Sequence, residues 1–316
     1  MHTELQLAAE ILKYSFLGGL INMAGNNTVE SINDYINQVN NFTLPGGSLV
    51  SKSIKLFRGL SDFEYDNVPN IERIINKNVH NTPLRFEEKM IDKARLKMPE
   101  LFVSDIFPIQ TITKLQHYGL PTRLLDFTTN ALVALYFACQ NKSENEKQKN
   151  GKVLIFYESE DYIYNCYSPF VNAIADMNYV SEFTVYSFYD YKKYLETKNY
   201  WKFSNYDSVD IKQIQDRLSA PIFFEAELQS ERIKRQQGLF LIFPNIIEEL
   251  SGKPFFKENL VKWVPKNCLE LIIPSNIKSK LLRELVELGI TKSYLFPEPE
   301  NICTEIFDDI KDRFNF

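Results

Sequence analysis

The sequence is short of the residues that build several common ligand sites. Its 316 residues include 11 glycines, and neither GxGxxG nor GxxxxGK[ST] occurs. The glycine-rich phosphate loops of dinucleotide-binding and P-loop proteins are therefore excluded. Histidine occurs three times, as His2, His80 and His117, which is too few for a histidine-based metal cluster. We expect no metal site.

Cysteine is also sparse, and its spacing excludes two further classes of protein. The four cysteines are far apart and form no CxxC pair: Cys139, Cys166, Cys268 and Cys303. This pattern predicts reduced thiols rather than a disulfide framework or a zinc site. No apolar run reaches the length of a membrane span, and the first residues lack the basic region of a signal peptide. We therefore expect a cytoplasmic protein with no membrane partner.

The residues that are present predict a well-packed globular chain. Hydrophobic residues make up 44% of it and aromatic residues 14%, with 24 Phe and 17 Tyr, which indicates a bulky core and an aromatic-lined surface or cleft. The formal net charge of −5 disfavours a broadly basic surface for nucleic acid, although it is compatible with a local basic groove.

Strand and helix patterns alternate without a strict βαβ rhythm, so we predict an α+β fold with a mixed sheet core and flanking helices. We divide the chain into an N-terminal helical extension, a central domain with a helical or loop insert at about 158–215, and a C-terminal strand-helix segment packed on the same core. The boundaries are 1–50, 51–245 and 246–316. Strands are expected near 55–59, 152–157, 221–228, 238–243 and 268–274, and helices near 27–43, 83–101, 109–118, 130–140, 275–290 and 301–314. Asn27 or Thr28 is the expected cap of the first helix, with Ile32, Tyr35, Ile36 and Val39 on one face. Gly119 is the expected stop of the helix near 109–118, and a solvated loop is expected at 141–151.

The stretch 115–140, LQHYGLPTRLLDFTTNALVALYFACQ, places reactive side chains directly before an apolar helix. Its polar residues are His117, Tyr118, Thr122, Arg123 and Asp126, and Gly119 among them allows a positive φ or a close ligand. One interpretation is a binding loop that a buried helix holds rigid. The other is structural: Asp126, Thr128 or Thr129 caps the helix, Arg123 pairs with a core carboxylate, and His117 bonds to the backbone.

Two further stretches suit an anionic ligand. In LFRG, Arg58 ends an apolar strand, so its guanidinium fork would face a phosphate or carboxylate, and Gly59 after it would keep the approach of that ligand open. In ERIKRQQG, Arg232, Lys234 and Arg235 form a basic patch in an acidic chain. The structural alternatives are an Arg–carboxylate pair, with Asp126 as the partner of Arg58, and a solvated charged turn.

A pair of carboxylates is another candidate for acid or base chemistry. Glu225 and Glu227 are separated by one residue, so on a strand both would lie on one face. The alternative is a strand face that is exposed to water.

These stretches together resemble the FRG domain family. FRG at 57–59 matches the motif that names the family, and QHYGLPTRLLDFTTNALVALYFAC at 116–139 resembles its most recognisable block, with Asp-Phe-Thr where Asp-Trp-Thr is usual. RIKRQQGLFLIF at 232–243 resembles its Arg-x-x-x-Gln-x-Gly-x-Phe block. The resemblance implies that residues 51–245 form the FRG domain of a bacterial or phage-associated protein, with a role in defence or as a toxin.

The layout of these residues is also similar to that of ADP-ribosyltransferase-like NAD-binding folds. The similarity implies an NAD- or nucleotide-using protein, with Arg58, His117 and Gln237 as catalytic residues and Glu225 or Glu227 as alternative carboxylates. Arg58 would hold the NAD phosphates or ribose, and a protein or nucleic acid would be the acceptor. The substrate-binding set would be Gly59, Tyr118, Gly119, Thr122, Arg123, Asp126 and Arg232.

Gln237 is a departure from such transferases, which use a Glu at the catalytic position. A glutamine there favours binding without catalysis or a shifted mechanism. Two alternatives therefore stand beside the enzyme: a non-catalytic module for nucleotides or nucleic acid, and motifs that only build the core.

Overall fold

A seven-stranded mixed sheet organises the chain. The computed structural model describes residues 27–43, 52–75, 83–140, 148–177, 188–202, 211–227, 230–250, 253–265 and 267–314. The sheet has the order β4-β5-β6-β2-β1-β3-β9, in which β4 and β5 are parallel and the other neighbours antiparallel. Its strands are β1 (Ser53–Leu60), β2 (Leu124–Thr128), β3 (Gly151–Ser159), β4 (Ile163–Asn165), β5 (Ile222–Glu225), β6 (Gly238–Ile242) and β9 (Leu269–Ile273).

A separate antiparallel hairpin and a set of helices surround this sheet, which confirms the predicted α+β class. The hairpin consists of β7 (Asn245–Leu250) and β8 (Lys253–Leu260). The helices are α1 (Ile32–Asn41), α2 (Asn70–Ile75), α3 (Pro83–Lys97), α4 (Pro99–Phe102), α5 (Pro108–His117), α6 (Ala131–Cys139), α7 (Pro169–Asp176), α8 (Phe188–Glu196), α9 (Asn199–Lys202), α10 (Ile211–Leu218), α11 (Glu231–Gln236), α12 (Lys278–Glu287), α13 (Lys292–Leu295) and α14 (Pro299–Phe314). Within the described residues, no helix has the length and apolar character needed to cross a membrane.

Strand β2 is the main element that the sequence analysis missed. Residues 124–128, LLDFT, are buried except for Asp126, and they pair along their whole length with β6. The run is short and almost continuously apolar, so it has no visible period of two, and it runs nearly into the next helix. Asp126 therefore lies on a central strand and not in a loop.

The predicted helix caps were wrong at two helices. Asn130 is the N-cap of α6, and its Oδ1 accepts from the backbone N–H groups of Leu132 and Val133. Ser31 caps α1, whose expected cap was Asn27 or Thr28. Thr128 instead fixes the start of α6 indirectly, because its Oγ1 accepts from the N–H of Asn130. These short side chains compete for the same donors, and the backbone path decides which one reaches them.

Helix α6 packs unusually close to β1 and β3, and two glycines permit this. A Cβ on Gly59 would lie 1.9 Å from the carbonyl oxygen of Ala134, and one on Gly151 would lie 2.2 Å from that of Ala138. Gly59 was predicted to keep the approach of a ligand open. The structure gives it a stronger constraint, because any side chain at this position would push α6 away from the sheet.

The described parts of the extension and the insert contribute to the core. In α1, Ile32, Tyr35 and Val39 are buried, whereas Ile36, expected on the same face, is 37% exposed. The chain before this helix forms a parallel bridge from Thr28 to Ile272 of β9. The insert supplies α7 to α10, with Trp201 and Tyr191 buried between them. Residues 1–26 and 44–50 of the predicted extension, and residues 141–147 of the predicted loop 141–151, lie outside the described residues.

Candidate functional site

The gap between β1 and β2 opens a cleft of about 350 Å³. Residue pairing between the two strands is recorded at one position, Phe57 with Thr128, whereas β1 pairs with β3 over eight residues. The two strands therefore separate directly after Phe57, and Arg58 is the next residue. We name this space the Arg58 cleft. Its polar lining includes Arg58, Arg73, Gln116, Asp126, Arg232 and Gln236.

Arg58 is held in this gap with one enclosed donor unused. Its Nη1 donates to the backbone carbonyl of Asp126 at 2.5 Å, and its guanidinium lies 5.7 Å from the ring centre of Phe127. Its Nε is buried and has no hydrogen-bond partner among the described residues. Burial lowers the pKa of Arg58 to about 10, the Asp126 carboxylate opposes this shift, and Arg73 adds to it. A buried donor without a partner is costly, so this group is suited to an incoming acceptor.

Arg73 supplies a second cation to the same cleft. Its guanidinium lies 5.0 Å from the ring centre of Tyr65, and its Nη2 donates to the carbonyl of Asp66 at 2.6 Å. Burial lowers the pKa of Arg73, against the opposing effects of Tyr65 and Asp66. Together with Arg232, three arginines line this cleft and raise its positive potential, which favours a ligand with more than one negative charge.

A hydrogen-bond chain fixes the Asp126 carboxylate on the other side of the cleft. The buried Thr122 donates from Oγ1 to Gln116 Oε1 at 2.7 Å, and Gln116 Nε2 donates to Asp126 Oδ2 at 3.0 Å. The backbone N–H of Leu124 donates to Thr122 at 3.1 Å, which orients the hydroxyl. Thr122, predicted to bind substrate, therefore lies one step behind the site. Gln116, which the prediction omitted, lines the cleft.

Arg123 is placed outside the cleft, in the core. It is 1% exposed and its partner Glu87 is 0% exposed. Nε donates to Glu87 Oε2 at 2.6 Å, and Nη1 donates to the carbonyls of Ile174 and Phe243 and to Asn245 Oδ1 at 3.2–3.3 Å. This is the structural interpretation of Arg123, with Glu87 as the core carboxylate. A guanidinium enclosed in this way cannot reach a ligand in either cavity.

His117 lines a second cavity of about 330 Å³, which we name the His117 cavity. Tyr118, Glu227, Ser230, Arg232 and Glu298 line it as well. The consecutive residues Gln116 and His117 at the end of α5 thus serve different spaces. Arg232 lines both cavities: its Nη1 donates to the His117 carbonyl at 3.3 Å, and its guanidinium lies 4.6 Å from the ring centre of Phe296. Arg58 and His117, which the sequence analysis grouped as catalytic residues, therefore line different cavities.

The candidates for the catalytic acid lie away from the Arg58 cleft. Gln237 is exposed and lines neither cavity, with φ at 46° at the end of α11, and its neighbour Gln236 lines the cleft instead. Glu225 is the exposed last residue of β5. Glu227 lies beyond that strand and accepts from Gln110 Nε2 at 2.8 Å in the His117 cavity. Among the described residues that line the Arg58 cleft, Asp126 supplies the carboxylate.

Local backbone and charge interactions explain the positions of Gly119 and of the basic patch. Gly119 ends α5 with φ at 83° and lines the Arg58 cleft, in agreement with the predicted helix stop. Lys234 and Arg235 lie 2.9 and 3.8 Å from the carboxylate of Glu231 on the same helix. The patch is therefore partly neutralised, which favours the solvated turn over a nucleic-acid surface.

Comparison with protein families identifies one domain in the chain. The family model of the FRG domain matches residues 53–147. The chain contains an FRG domain. The match runs from β1 through α6, so the FRG domain includes Arg58, Arg73, Gln116 and Asp126. No curated protein and no solved structure matches the chain.

The cleft residues that sequence reasoning missed differ in the signal they carry. Gln116 and Gln236 are direct neighbours of predicted residues, and only the turn of each helix decides which neighbour faces the cleft. Arg73 stands in the unremarkable segment NIERII of α2, and its place beside Arg58 depends on a fold that brings α2 to the end of β1. No local pattern indicates that contact.

Proposed function

We propose that the Arg58 cleft of this FRG domain binds a nucleotide through its phosphates, with NAD as the first candidate. The observation that carries the proposal is the enclosed Nε of Arg58, a charged donor with no partner, at the wall of a cleft. A phosphate oxygen would satisfy this donor and neutralise its charge. Arg73, as the second cation of the cleft, would engage the other phosphate of a diphosphate.

The remaining lining matches the apolar parts of a nucleotide. Tyr65, Phe127, Phe137 and Phe296 bring aromatic rings to the cleft, and such rings provide faces on which a base can stack. The volume of about 350 Å³ lies in the range of small-molecule sites, roughly 300–1,000 Å³. This combination of three arginines and several rings favours a nucleotide over a simple anion.

Asp126 is the group that would carry chemistry on the bound ligand. If the ligand is NAD, cleavage breaks the bond between nicotinamide and ribose, and positive charge develops on the ribose. A carboxylate fixed by Gln116 and Thr122 can stabilise that charge and take the proton of the attacking water or acceptor hydroxyl. The proposed activity is thus NAD cleavage or ADP-ribosyl transfer, with Asp126 in the place first assigned to Gln237, Glu225 or Glu227. The ADP-ribosyltransferase-like fold is part of the same proposal.

Calorimetric titration with NAD, ADP-ribose and ATP tests the proposal. We expect Arg58→Met to remove binding, whereas Arg283→Met, an exposed arginine of α12 that lines neither cavity, should bind like the wild type. Asp126→Asn should retain binding and lose release of nicotinamide. Binding that survives in a folded Arg58→Met protein would refute the assignment.

The setting that the family resemblance implies, a bacterial defence effector or toxin, needs a cellular test. Expression in bacteria should lower the NAD pool and slow growth, and Asp126→Asn should do neither at equal protein level. An unchanged NAD pool alongside growth arrest would indicate a different target.

A further inference from the structure

The His117 cavity contains three side chains in the order that nucleophilic catalysis uses. Ser230 Oγ lies 3.4 Å from Nδ1 of His117, and Nε2 of the same ring lies 4.0 Å from Glu298 Oε1. All three residues line the cavity. A hydroxyl, an imidazole and a carboxylate in series form a nucleophile, a base and a group that orients the base. In unliganded sites such contacts are often long and tighten when substrate binds.

The side chain of Ser230 does not make the hydrogen bond that its position in the chain favours. It is the N-cap of α11, a place at which serine usually accepts a hydrogen bond from the helix backbone, and here its side chain makes no capping bond. Its hydroxyl faces His117 instead. A serine that gives up its cap to contact an imidazole at the wall of a cavity calls for an explanation other than helix stability.

The surroundings of His117 set its tautomer and its readiness to accept a proton. Glu298 faces Nε2, so the neutral ring carries its proton there and leaves Nδ1 to accept from Ser230. Asn301 Nδ2 donates to Glu298 Oε2 at 3.1 Å and holds the carboxylate. Burial and Arg232 lower the pKa of His117, and Glu298 opposes them. Tyr118 packs edge-on against the ring, with 5.0 Å between the ring centres. Burial and Arg232 therefore favour the neutral imidazole, the form that a base must have.

We propose that the His117 cavity is a second catalytic site, in which Ser230 is the nucleophile that hydrolyses a small carboxylic ester. His117 is the base and Glu298 a positioning residue. The cavity of about 330 Å³ admits a small substrate, and Leu101, Ile109 and Ile233 give it an apolar wall for the acyl chain. This site shares only the wall residue Arg232 with the Arg58 cleft and does not depend on the proposed nucleotide function.

The reaction balances with water as the only co-reactant. Ser230 Oγ attacks the ester carbonyl while its proton passes to His117 Nδ1, and the C–O bond to the alcohol breaks as the imidazolium returns that proton to the leaving oxygen. Water then attacks the acyl-serine with His117 again as base, which releases the acid and restores Ser230. Glu298 stabilises the imidazolium in both halves and remains ionised.

Labelling with a fluorophosphonate probe, followed by peptide mass spectrometry, tests the nucleophile directly. We expect one modified residue, Ser230, and no labelling of Ser230→Ala. Ser104→Ala is the matched control, because Ser104 lines the same cavity and is bonded to Lys114 rather than to His117. Hydrolysis of p-nitrophenyl butyrate should follow the same pattern, with kcat/KM reduced roughly 10²- to 10⁴-fold in His117→Gln.

The pH profile separates positioning by Glu298 from a merely structural role. Activity of the wild type should fall as the pH drops through the His117 pKa, which burial and Arg232 lower from its ordinary value, because the protonated ring cannot accept a proton. Glu298 raises that pKa, so Glu298→Gln should shift the acid limb to lower pH in addition to lowering kcat. The proposal is overturned if folded wild-type protein is not labelled, is labelled elsewhere, or hydrolyses the ester equally well as Ser230→Ala.

Discussion

Arg58 lies on β1, and Arg123 directly precedes the neighbouring strand β2. Their guanidinium groups differ in how fully they are hydrogen-bonded. Arg123 is enclosed and bonded to Glu87, to two carbonyls and to Asn245. Arg58 makes one hydrogen bond to a backbone carbonyl and leaves Nε enclosed without a partner. A buried charge that is fully paired holds a fold together, whereas one that lacks partners adds a cost that a ligand can relieve. Hydrogen-bond satisfaction, and not the sequence around each arginine, separates the two roles.

The largest effect should come from breaking the Arg123 pair. Glu87→Gln leaves the buried guanidinium without its counter-charge, so we expect the free energy of unfolding to fall by about 3–5 kcal/mol, measured by urea denaturation. The control is the double variant Glu87→Met, Arg123→Met, which removes both charges and should lose much less. If the single and double variants are equally unstable, packing rather than charge explains the role of Arg123.

The second prediction tests whether Gly59 serves the packing of α6 or the cleft that its neighbour Arg58 lines. Gly59→Ala would place a Cβ 1.9 Å from the carbonyl oxygen of Ala134, so α6 must move, and overpacking of this kind costs about 1–3 kcal/mol. Gly238→Ala is the matched control, because its Cβ would meet its nearest neighbour at 3.7 Å, an ordinary contact. Equal melting temperatures for the two variants would show that α6 tolerates displacement and that Gly59 serves the cleft.

More of the fold than of the cleft could be predicted from the sequence, and the reason is physical. Local period and composition predict elements such as the strands β3 and β9 and the amphipathic helix α12, because each buries one face or both. The cleft forms where β1 and β2 stop pairing after Phe57, and that separation depends on contacts among distant segments. Arg58 and Asp126 were found because their stretches were unusual, whereas Arg73 reaches the cleft only through the tertiary path of α2.

The third prediction concerns the stability of an Arg58 variant. Replacing a structural arginine lowers the free energy of unfolding, whereas we expect replacement of Arg58 to leave it almost unchanged. Burial lowers its pKa to about 10, below that of the unfolded chain, so the protonated side chain costs stability at every pH below that value. Arg58→Met removes this cost together with one hydrogen bond, which is worth about 1 kcal/mol. We expect the free energy of unfolding to change by no more than about 1 kcal/mol in urea denaturation at pH 7, while the affinity for nucleotide is lost. A loss of stability as large as that of Glu87→Gln would place Arg58 with Arg123.

The smallest effect tests whether Gln237 has any function beyond the backbone turn it occupies. Its φ of 46° lies in the left-handed region, at the end of α11, and its side chain is exposed. The left-handed conformation costs a residue with a Cβ roughly 1 kcal/mol of conformational free energy and costs glycine little. Gln237→Gly should therefore raise the free energy of unfolding by up to about 1 kcal/mol and leave nucleotide binding unchanged. Gln236→Ala should weaken binding instead, because Gln236 lines the Arg58 cleft. Loss of binding in Gln237→Gly with binding intact in Gln236→Ala would restore the catalytic position to Gln237, since the backbone turn alone would not account for that result.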